Sequence, residues 1–338
     1  MSHVRTNPRK PDTHIPPMIS RSAILMPLLL VAAATAIHAQ DTLRAPALLV
    51  SQGGATFQRV WLTSSTKSTV TYYDTEVSTA SKEARISQYE TIHIFEPADY
   101  ATAIDLFQAR SYEEAEKLFA KVKEQYRPVA TIEDNPSTLA AFYHMECLRK
   151  LGDLKGLSDM LAGFDKSPLT REHQLRQIEL YSVWEAVRNE DWQQVASLCG
   201  DRAKSRLPGD QRAQISYCHG LSMEALNRED EAIAAYHIAM TSDAAASEDI
   251  SRKAALRVLS ILSFRPQVRH AIQVWETPEE KTSSPGYSDL LQASALARLY
   301  LMSLGGGEPL PEKLKNLPEF RPKNDQSAGA GAPPPATE

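Results

Sequence analysis

A set of small or aliphatic residues recurs at a nearly constant interval along this chain, and it constrains the fold more than any other feature. The aligned positions are Ala115, Leu157, Val195, Ala232 and Ala271. Successive positions are 42, 38, 37 and 39 residues apart, and self-similarity with a period of 20–50 residues is typical of solenoids and repeat arrays. From residue 98 onward the apolar residues also follow the helical period of 3.6. The sequence therefore predicts an array of helix pairs.

The best-preserved copy of this repeat is residues 110–121. Here one helix is predicted to end, and a second helix begins after a tight turn. Ser111 followed by Glu114 has the spacing of a capping box at the start of the second helix. Ala115 is small enough for close approach of a neighbouring helix, and Phe119 continues the apolar face one turn later.

The repeat signature combines a small residue in each helix with an aromatic or aliphatic residue one turn later and a proline near the end of the unit. The residues that carry it are Ala103, Ala115, Phe119, Gly152, Leu157, Val195, Gly220, Ala232, Tyr236 and Ala271. The pattern resembles the tetratricopeptide repeat (TPR), a helix–turn–helix unit of 34 residues. The resemblance covers about residues 98–280, although every spacing here exceeds 34 and the family's tryptophan in the first helix is missing. It implies an α-solenoid whose first helices line a concave binding groove.

The predicted fold class is mainly α: a TPR-like solenoid preceded by a small antiparallel β barrel. Residues 40–50 are predicted to be a linker. Residues 51–97 are rich in β-branched and aromatic residues and resemble SH3- or Sm-like barrels, with strands predicted at 57–62, 69–73, 76–77, 84–86 and 89–95. Residues 98–304 are predicted to hold about five helix pairs and a capping helix. Residues 305–338 are rich in Pro, Gly and Ala and are predicted to be a disordered tail, within which 310–320 could lie on the array as a strap.

The N-terminal segment is predicted to be a signal peptide comprising residues 1–39. Arg21 precedes an apolar run from residue 23 to 37, and small residues then favour cleavage between Ala39 and Gln40. Met18 is an alternative start, and a retained membrane anchor is the alternative to cleavage. No cysteine lies near the cleavage point, so a lipid anchor is not expected. We therefore expect an exported protein, periplasmic or secreted, without an integral membrane span in its mature form.

The charge balance bears on the class of partner. The whole chain has 37 Lys and Arg and 42 Asp and Glu, and removal of residues 1–39 takes away four basic residues and one acidic residue, which leaves a net charge of −8. Such a chain is a poor ligand for nucleic acid or an anionic membrane surface. A basic or neutral partner is favoured on net charge alone.

Few residues suggest catalysis or metal binding. The sequence has no zinc-protease motif, phosphate-binding loop, nucleophile elbow or Cys-x-x-Cys pair. The three cysteines permit at most one disulfide, and burial in helix faces is the favoured interpretation. The weighed alternative is a zinc site built from His144, Cys147, Cys218 and His219. We predict no catalytic residue, cofactor or metal, and we expect Tyr181, Trp184 and Trp192 to lie in the core rather than in an aromatic binding patch.

The functional hypothesis is a non-catalytic module that binds a peptide or protein partner in the groove lined by the first helices. The lining segments are predicted to be residues 139–151, 175–188, 212–225 and 250–262. The alternative is an envelope assembly or scaffolding factor that docks through the β domain. An enzyme with a site near His93 is the least favoured interpretation, because His93 alternates with Ile92 and Ile94 and should face solvent.

Overall fold

A computed structural model describes residues 43–203, 206–243, 245 and 247–322. In this part of the chain a five-stranded sheet precedes eleven α-helices, so the protein is mainly helical, as its repeat pattern predicts. The predicted signal peptide, with its cleavage pair Ala39 and Gln40, lies outside the described residues.

The sheet is antiparallel and open. Its strands are β1 (Ala45–Ser51), β2 (Phe57–Ser65), β3 (Thr69–Tyr73), β4 (Lys82–Arg85) and β5 (Tyr89–Ile94). They are arranged in the order β4-β3-β2-β1-β5. Because β4 and β5 are both edge strands, the predicted closed barrel of SH3 or Sm type is wrong. Closure is not needed to bury the inner face, since Leu49 and Leu62 on this face share one core with Phe119 and Val122 of the first helix pair.

Two boundaries within the β region also differ from the sequence prediction. The predicted linker, residues 40–50, contains most of β1, which is a central strand paired with both β2 and β5. Ala45, Ala47 and Leu49 alternate inward along it and are buried. The predicted strand at 76–77 is instead a turn in which Val77 is 87% exposed, because this segment has no neighbouring strand with which to pair.

The helices follow in chain order and form consecutive pairs. They are α1 (Ala98–Gln108), α2 (Tyr112–Tyr126), α3 (Pro136–Leu151), α4 (Leu154–Ala162), α5 (Glu172–Arg188), α6 (Trp192–Arg202), α7 (Gly209–Ala225), α8 (Glu229–Ser242), α9 (Glu248–Phe264), α10 (Pro266–Gln273) and α11 (Pro285–Leu299). A π-helical segment, Tyr300–Leu304, extends α11. These bounds agree with five helix pairs and a final helix.

The turn between the helices of a pair is repeated in four of the five pairs. A residue with a left-handed backbone occupies it in each case: Arg110, Gly152, Glu190 and Asn227, with φ values of 67°, 85°, 55° and 59°. The next residue donates its N–H to the carbonyl five positions earlier at 2.8–3.1 Å, as in a Schellman motif. Each left-handed residue lies five positions before one of the aligned residues Ala115, Leu157, Val195 and Ala232, so the sequence alignment coincides with a repeated backbone geometry.

The second helix of a pair is capped less regularly. Asp153 and Asp191 accept hydrogen bonds from the backbone N–H groups of Gly156 and Gln194 and so cap α4 and α6. Ser111 occupies the corresponding position before α2, but its side chain makes no capping hydrogen bond. The predicted capping box is therefore wrong. The backbone conformation does not explain the difference, since Ser111 has φ and ψ of −78° and 64° and Asp153 has −78° and 74°. The serine hydroxyl is one bond closer to the backbone than the carboxylate oxygens of aspartate.

The C-terminal segment is partly ordered against the helices. Leu310, Leu314 and Leu317 are buried and belong to the large core that extends from α3 to α11. The ring of Phe320 also meets that of Trp275 edge-on. The predicted disordered tail is therefore wrong for residues 305–322, where leucines spaced by four and three residues bury apolar surface, and we call residues 308–320 the strap. Residues 323–338 lie outside the described part.

Candidate functional site

The residues of the repeat signature all lie at contacts between helices or at turns. The buried members are Ala103, Ala115, Phe119, Leu157, Val195, Ala232, Tyr236 and Ala271. Gly152 ends α3 in the left-handed conformation. Gly220 lies against Tyr236, and a Cβ atom added to it would come within 2.4 Å of the tyrosine ring. These positions are structural, and the open surfaces that could bind a partner must be sought elsewhere.

Several polar side chains of the first helices are buried between helices. Every buried polar residue of the described chain lies on α3, α5, α7, α9 or α11, or at the N-cap of one of them. In one cluster, Arg149 donates to the carboxylate of Glu146 at 3.0 Å, and Tyr181 donates to the same carboxylate at 2.6 Å. Asp249 joins α9 to α3 through Lys150, 3.1 Å away, and Arg149, 3.6 Å away.

This cluster, which we call the buried ion network, stays charged in spite of its burial. Desolvation acts to raise the pKa of Glu146, but the Arg149 guanidinium and the hydrogen bonds from Arg149 and Tyr181 outweigh it, so the pKa lies below its ordinary value. The pKa of Asp249 is likewise lowered, because Arg149 and Lys150 outweigh the effect of burial. The network therefore fills the space between α3, α5 and α9 with paired charges.

A second polar cluster joins α5 and α7. The side-chain amides of Gln177 and Gln214 exchange hydrogen bonds of 3.0 and 3.1 Å, and the indole of Trp184 donates to Gln214 at 3.0 Å. The sequence analysis missed these residues, but a signal was present. Gln-x-x-Gln occurs at 174–177 and again at 211–214, at the same place in consecutive repeats.

An open cavity lies between segments that were predicted to line the groove, and we call it the basic cavity. It lies between α7, α9 and the strap and has a volume of about 490 Å³. Its apolar lining includes Leu256, Leu314 and Phe264, whose side chain is 54% exposed although it belongs to the last turn of α9. Two of the segments predicted to line the groove, 212–225 and 250–262, contribute to it.

Three cations border the basic cavity. Arg257 pairs with Glu224 at 3.2 Å. Lys313 lies over the Phe264 ring, with its Nζ 5.9 Å from the ring centre. For Lys253 and Lys313, no carboxylate of the described chain lies within ion-pair distance. Burial lowers the pKa of Lys253 against the attraction of Asp249, and repulsion from Arg149 adds to the lowering. The ammonium group donates a hydrogen bond to the Lys150 carbonyl at 3.4 Å. An anion in this cavity would therefore meet cations that are not already paired.

The residues considered for metal binding or catalysis lie in ordinary packing environments. Cys147, Cys199 and Cys218 are buried free thiols, and burial raises the pKa values of Cys147 and Cys199 to about 12. His144 contacts the Glu116 carboxylate at 3.1 Å. Within the described ranges, no group of three or more His, Cys, Asp or Glu side chains is placed to hold a metal ion.

The remaining aromatic and histidine predictions are also located. Tyr181 and Trp184 are buried, and Trp192 packs partly buried against the same core, as expected. His93 is exposed, as its alternation with Ile92 and Ile94 predicts. None of the helices in the described residues is both long and apolar enough to cross a membrane.

Comparisons with known proteins assign neither a family nor a function to the chain. No family model matches the chain, and neither the curated proteins nor the solved structures include a significant match.

Proposed function

We propose that this protein is a non-catalytic interaction module that binds an acidic, partly apolar peptide segment of a protein partner in the basic cavity. The observation that carries the proposal is the juxtaposition of Lys253 and Lys313, neither ion-paired, with the exposed ring of Phe264. Carboxylates pair with the cations, and an apolar side chain covers the ring.

The charges that line the basic cavity, and not the net charge of the whole chain, determine which charge the partner should carry there. The net charge of the chain favours a basic partner, but charges in solution are screened beyond about 8–10 Å at physiological salt. Among the described residues that line the basic cavity, three are cations and none carries a carboxylate. The neighbouring carboxylates of Glu224 and Asp249 are already paired, with Arg257 and with Lys150. We therefore assign this site an acidic ligand.

The architecture and location that go with this function are also proposals. We propose that the helix pairs form a TPR-like array, which is supported by the left-handed turns repeated before Ala115, Leu157, Val195 and Ala232. We also propose that the protein is exported after cleavage of residues 1–39. The intact mass of the exported protein should then correspond to a chain that begins at Gln40.

The experiment is selection of random dodecapeptides displayed on phage against the full chain, followed by anisotropy measurements with the enriched peptides. We expect enriched sequences that combine acidic and apolar residues. The double variant Lys253→Gln/Lys313→Gln should bind them at least tenfold more weakly. The matched control, Lys67→Gln/Lys117→Gln, removes two exposed lysines elsewhere and should bind normally.

Three results would overturn the proposal. They are the absence of enrichment, enrichment of peptides without acidic residues, and equal loss of affinity in both double variants.

The second candidate function is scaffolding through the β sheet, and the free edge of β5 is the observation that favours it.

A further inference from the structure

The two edges of the sheet are protected to different degrees. Exposed sheet edges invite pairing with other chains, and proteins commonly block them with short strands and charged residues. Strand β4 follows this rule, since it has four residues and carries Lys82, Glu83 and Arg85. Strand β5 has six residues, and its C-terminal half contains Ile92 and Ile94 and neither lysine nor proline. The edge at β5 is therefore the one open to another strand.

The backbone of β5 presents hydrogen-bonding groups at this edge. Phe95 donates its N–H to the carbonyl of Pro46 in β1 at 3.0 Å. Hydrogen-bonding direction alternates along an antiparallel strand, so Thr91 and His93 also face β1. Ile92 and Ile94 consequently direct their N–H and C=O groups away from the sheet. Two residues thus offer four backbone groups to an added strand.

A groove runs beside these groups. It has a volume of about 510 Å³ and lies between β5, the start of α1 and the segments that precede α3 and α5. Ile94 and Tyr100, both buried, line it together with Leu139. The side chains of Ile92 and Ile94 lie on the sheet face that packs against the helices. An added strand would therefore direct alternate side chains into this groove.

The rim of the groove is acidic, which selects the occupant. Glu96, Glu133 and Asp134 line it, and among its described lining residues Arg171 is the one lysine or arginine. Asp134 is fixed by hydrogen bonds from the backbone and hydroxyl of Thr170. A second copy of this chain pairing through β5 would bring two such rims together, and their like charges would oppose the dimer. A segment with lysine or arginine beside its apolar residues is complementary.

We propose that β5 accepts an extended segment of a partner protein as a sixth strand, with alternating apolar residues in the groove and flanking basic residues on its acidic rim. This is β-augmentation, in which backbone hydrogen bonds provide affinity and the groove provides specificity. The surface is separate from the basic cavity and takes a ligand of the opposite charge, so the inference does not depend on the proposed function.

The test uses the same phage library on the full-chain variant Lys253→Gln/Lys313→Gln, which keeps the two sites distinct. Enriched peptides should alternate apolar and polar residues and contain Lys or Arg. On binding of the best synthetic peptide, hydrogen exchange at the amides of Ile92 and Ile94 should slow at least tenfold. N-methylation of alternate residues of the peptide should abolish binding in one register and leave it nearly unchanged in the other, because only alternate N–H groups face β5.

Substitutions in the protein supply the matched controls. Ile92→Pro removes an edge N–H without breaking the β1–β5 ladder and should weaken binding at least tenfold. Glu83→Pro makes the corresponding change at the free edge of β4 and should leave binding unchanged. Glu96→Lys/Glu133→Lys keeps the backbone edge and should weaken binding about tenfold, whereas the exposed pair Glu83→Lys/Glu113→Lys should not.

Four outcomes would contradict the inference. Failure to enrich any peptide, enrichment of acidic peptides, or protection of amides elsewhere than in β5 would overturn the inference. So would a dimer, seen by analytical ultracentrifugation, that Ile92→Pro dissociates, because a second copy would then be the occupant. If Ile92→Pro fails to fold, the charge-reversal pair and the N-methylated peptides still decide the question.

Discussion

Replacement of Arg149 by methionine is the sharpest test of the buried ion network. Arg149 is the cation between two buried carboxylates, and only 3% of its side chain is exposed. Methionine replaces the aliphatic part of the arginine side chain and lacks the charge and the hydrogen-bond donors. In the variant, Glu146 keeps its hydrogen bond from Tyr181, and Asp249 keeps its ion pair with Lys150. Glu146 loses its paired cation, and Asp249 loses the more distant of its two.

The expected loss of unfolding free energy depends on the contacts that Glu146 and Asp249 keep. Removing one member of a buried ion pair typically destabilises a protein by about 3–5 kcal/mol, because the other charge is left buried and unpaired. Since Tyr181 and Lys150 still compensate in part, we expect a loss of about 3 kcal/mol for Arg149→Met. With a denaturant slope of about 3 kcal/mol per molar urea, the unfolding midpoint should fall by about 1 M.

The matched control is Arg188→Met. Arg188 pairs with Glu185 at the same i, i+3 spacing, but the two side chains are 35% and 34% exposed. An exposed pair of this kind contributes less than about 1 kcal/mol. Both variants are measured by urea unfolding followed by circular dichroism at 222 nm. If the midpoints of the two variants agree within error, the charge network does not stabilise the fold and the reasoning is wrong.

The pH dependence gives a second readout of the same variant. In the native protein the pKa values of Glu146 and Asp249 are lowered, so their contribution to stability is present at neutral pH and is lost only as pH falls through these lowered values. Without Arg149, burial should raise the pKa of Glu146, and its protonated form should then be favoured in the folded state. The gap in stability between wild type and Arg149→Met should therefore narrow from pH 7 to pH 5.

Five further substitutions test the helix packing and the repeated turns, each by thermal and urea unfolding. Gly220→Ala should destabilise by about 2 kcal/mol, since the new Cβ would overlap the Tyr236 ring, whereas Gly200→Ala, with open space around it, should stabilise by about 1 kcal/mol. Glu190→Gly should stabilise by about 1 kcal/mol by relieving a left-handed conformation, and valine there should destabilise. Ala115→Leu should cost about 1–3 kcal/mol, because Ala115 is fully buried; no loss would show that the repeat alignment misplaces this residue.

The helices were predictable because their signals are local. The helical period of the apolar residues lies within one repeat, and so does the turn five positions before each aligned small or aliphatic residue. These signals can therefore be recognised without knowing how the repeats pack together. Gly152 illustrates this, since a glycine after a periodic run predicts a helix end, and it ends α3 in the structure. Arg110 and Glu190 occupy the same position without glycine's advantage, and their left-handed conformation could be found only by alignment with Gly152.

Strand β1 could not be predicted by the same local reasoning. Its inward residues include Ala45 and Ala47, which have low β propensity, and Pro46 argues against a central strand. The missing N–H of Pro46 would face Phe95, one residue beyond the end of β5, so no ladder bond within β5 is lost. Pro46 is tolerated because β5 ends before the residue opposite it. The end of β5 lies about 50 residues further along the chain, so the sequence around Pro46 does not reveal it.

The burial of polar residues in the first helices could not be predicted for a related reason. The sequence shows that the first helices carry polar residues, but it does not show whether these face solvent or one another. Asp249 meets Lys150 across about 100 residues of chain, and such a contact depends on how far successive pairs rotate. Polar groups that pair with one another in this way have little left to offer a ligand.

We expect recognition where charges lack an ion pair or backbone groups lie at an open edge, and the described residues include a place of each kind, with opposite signs of charge. Lys253 lacks a carboxylate at ion-pair distance among the described residues, and Ile92 directs backbone groups away from the sheet. An acidic segment at the first and a basic extended segment at the second should both weaken as salt is added. The two should differ in one respect. N-methylation of alternate residues should affect binding at β5 strongly, whereas binding in the basic cavity should depend on side-chain charge, because only the first interaction is built on a backbone ladder.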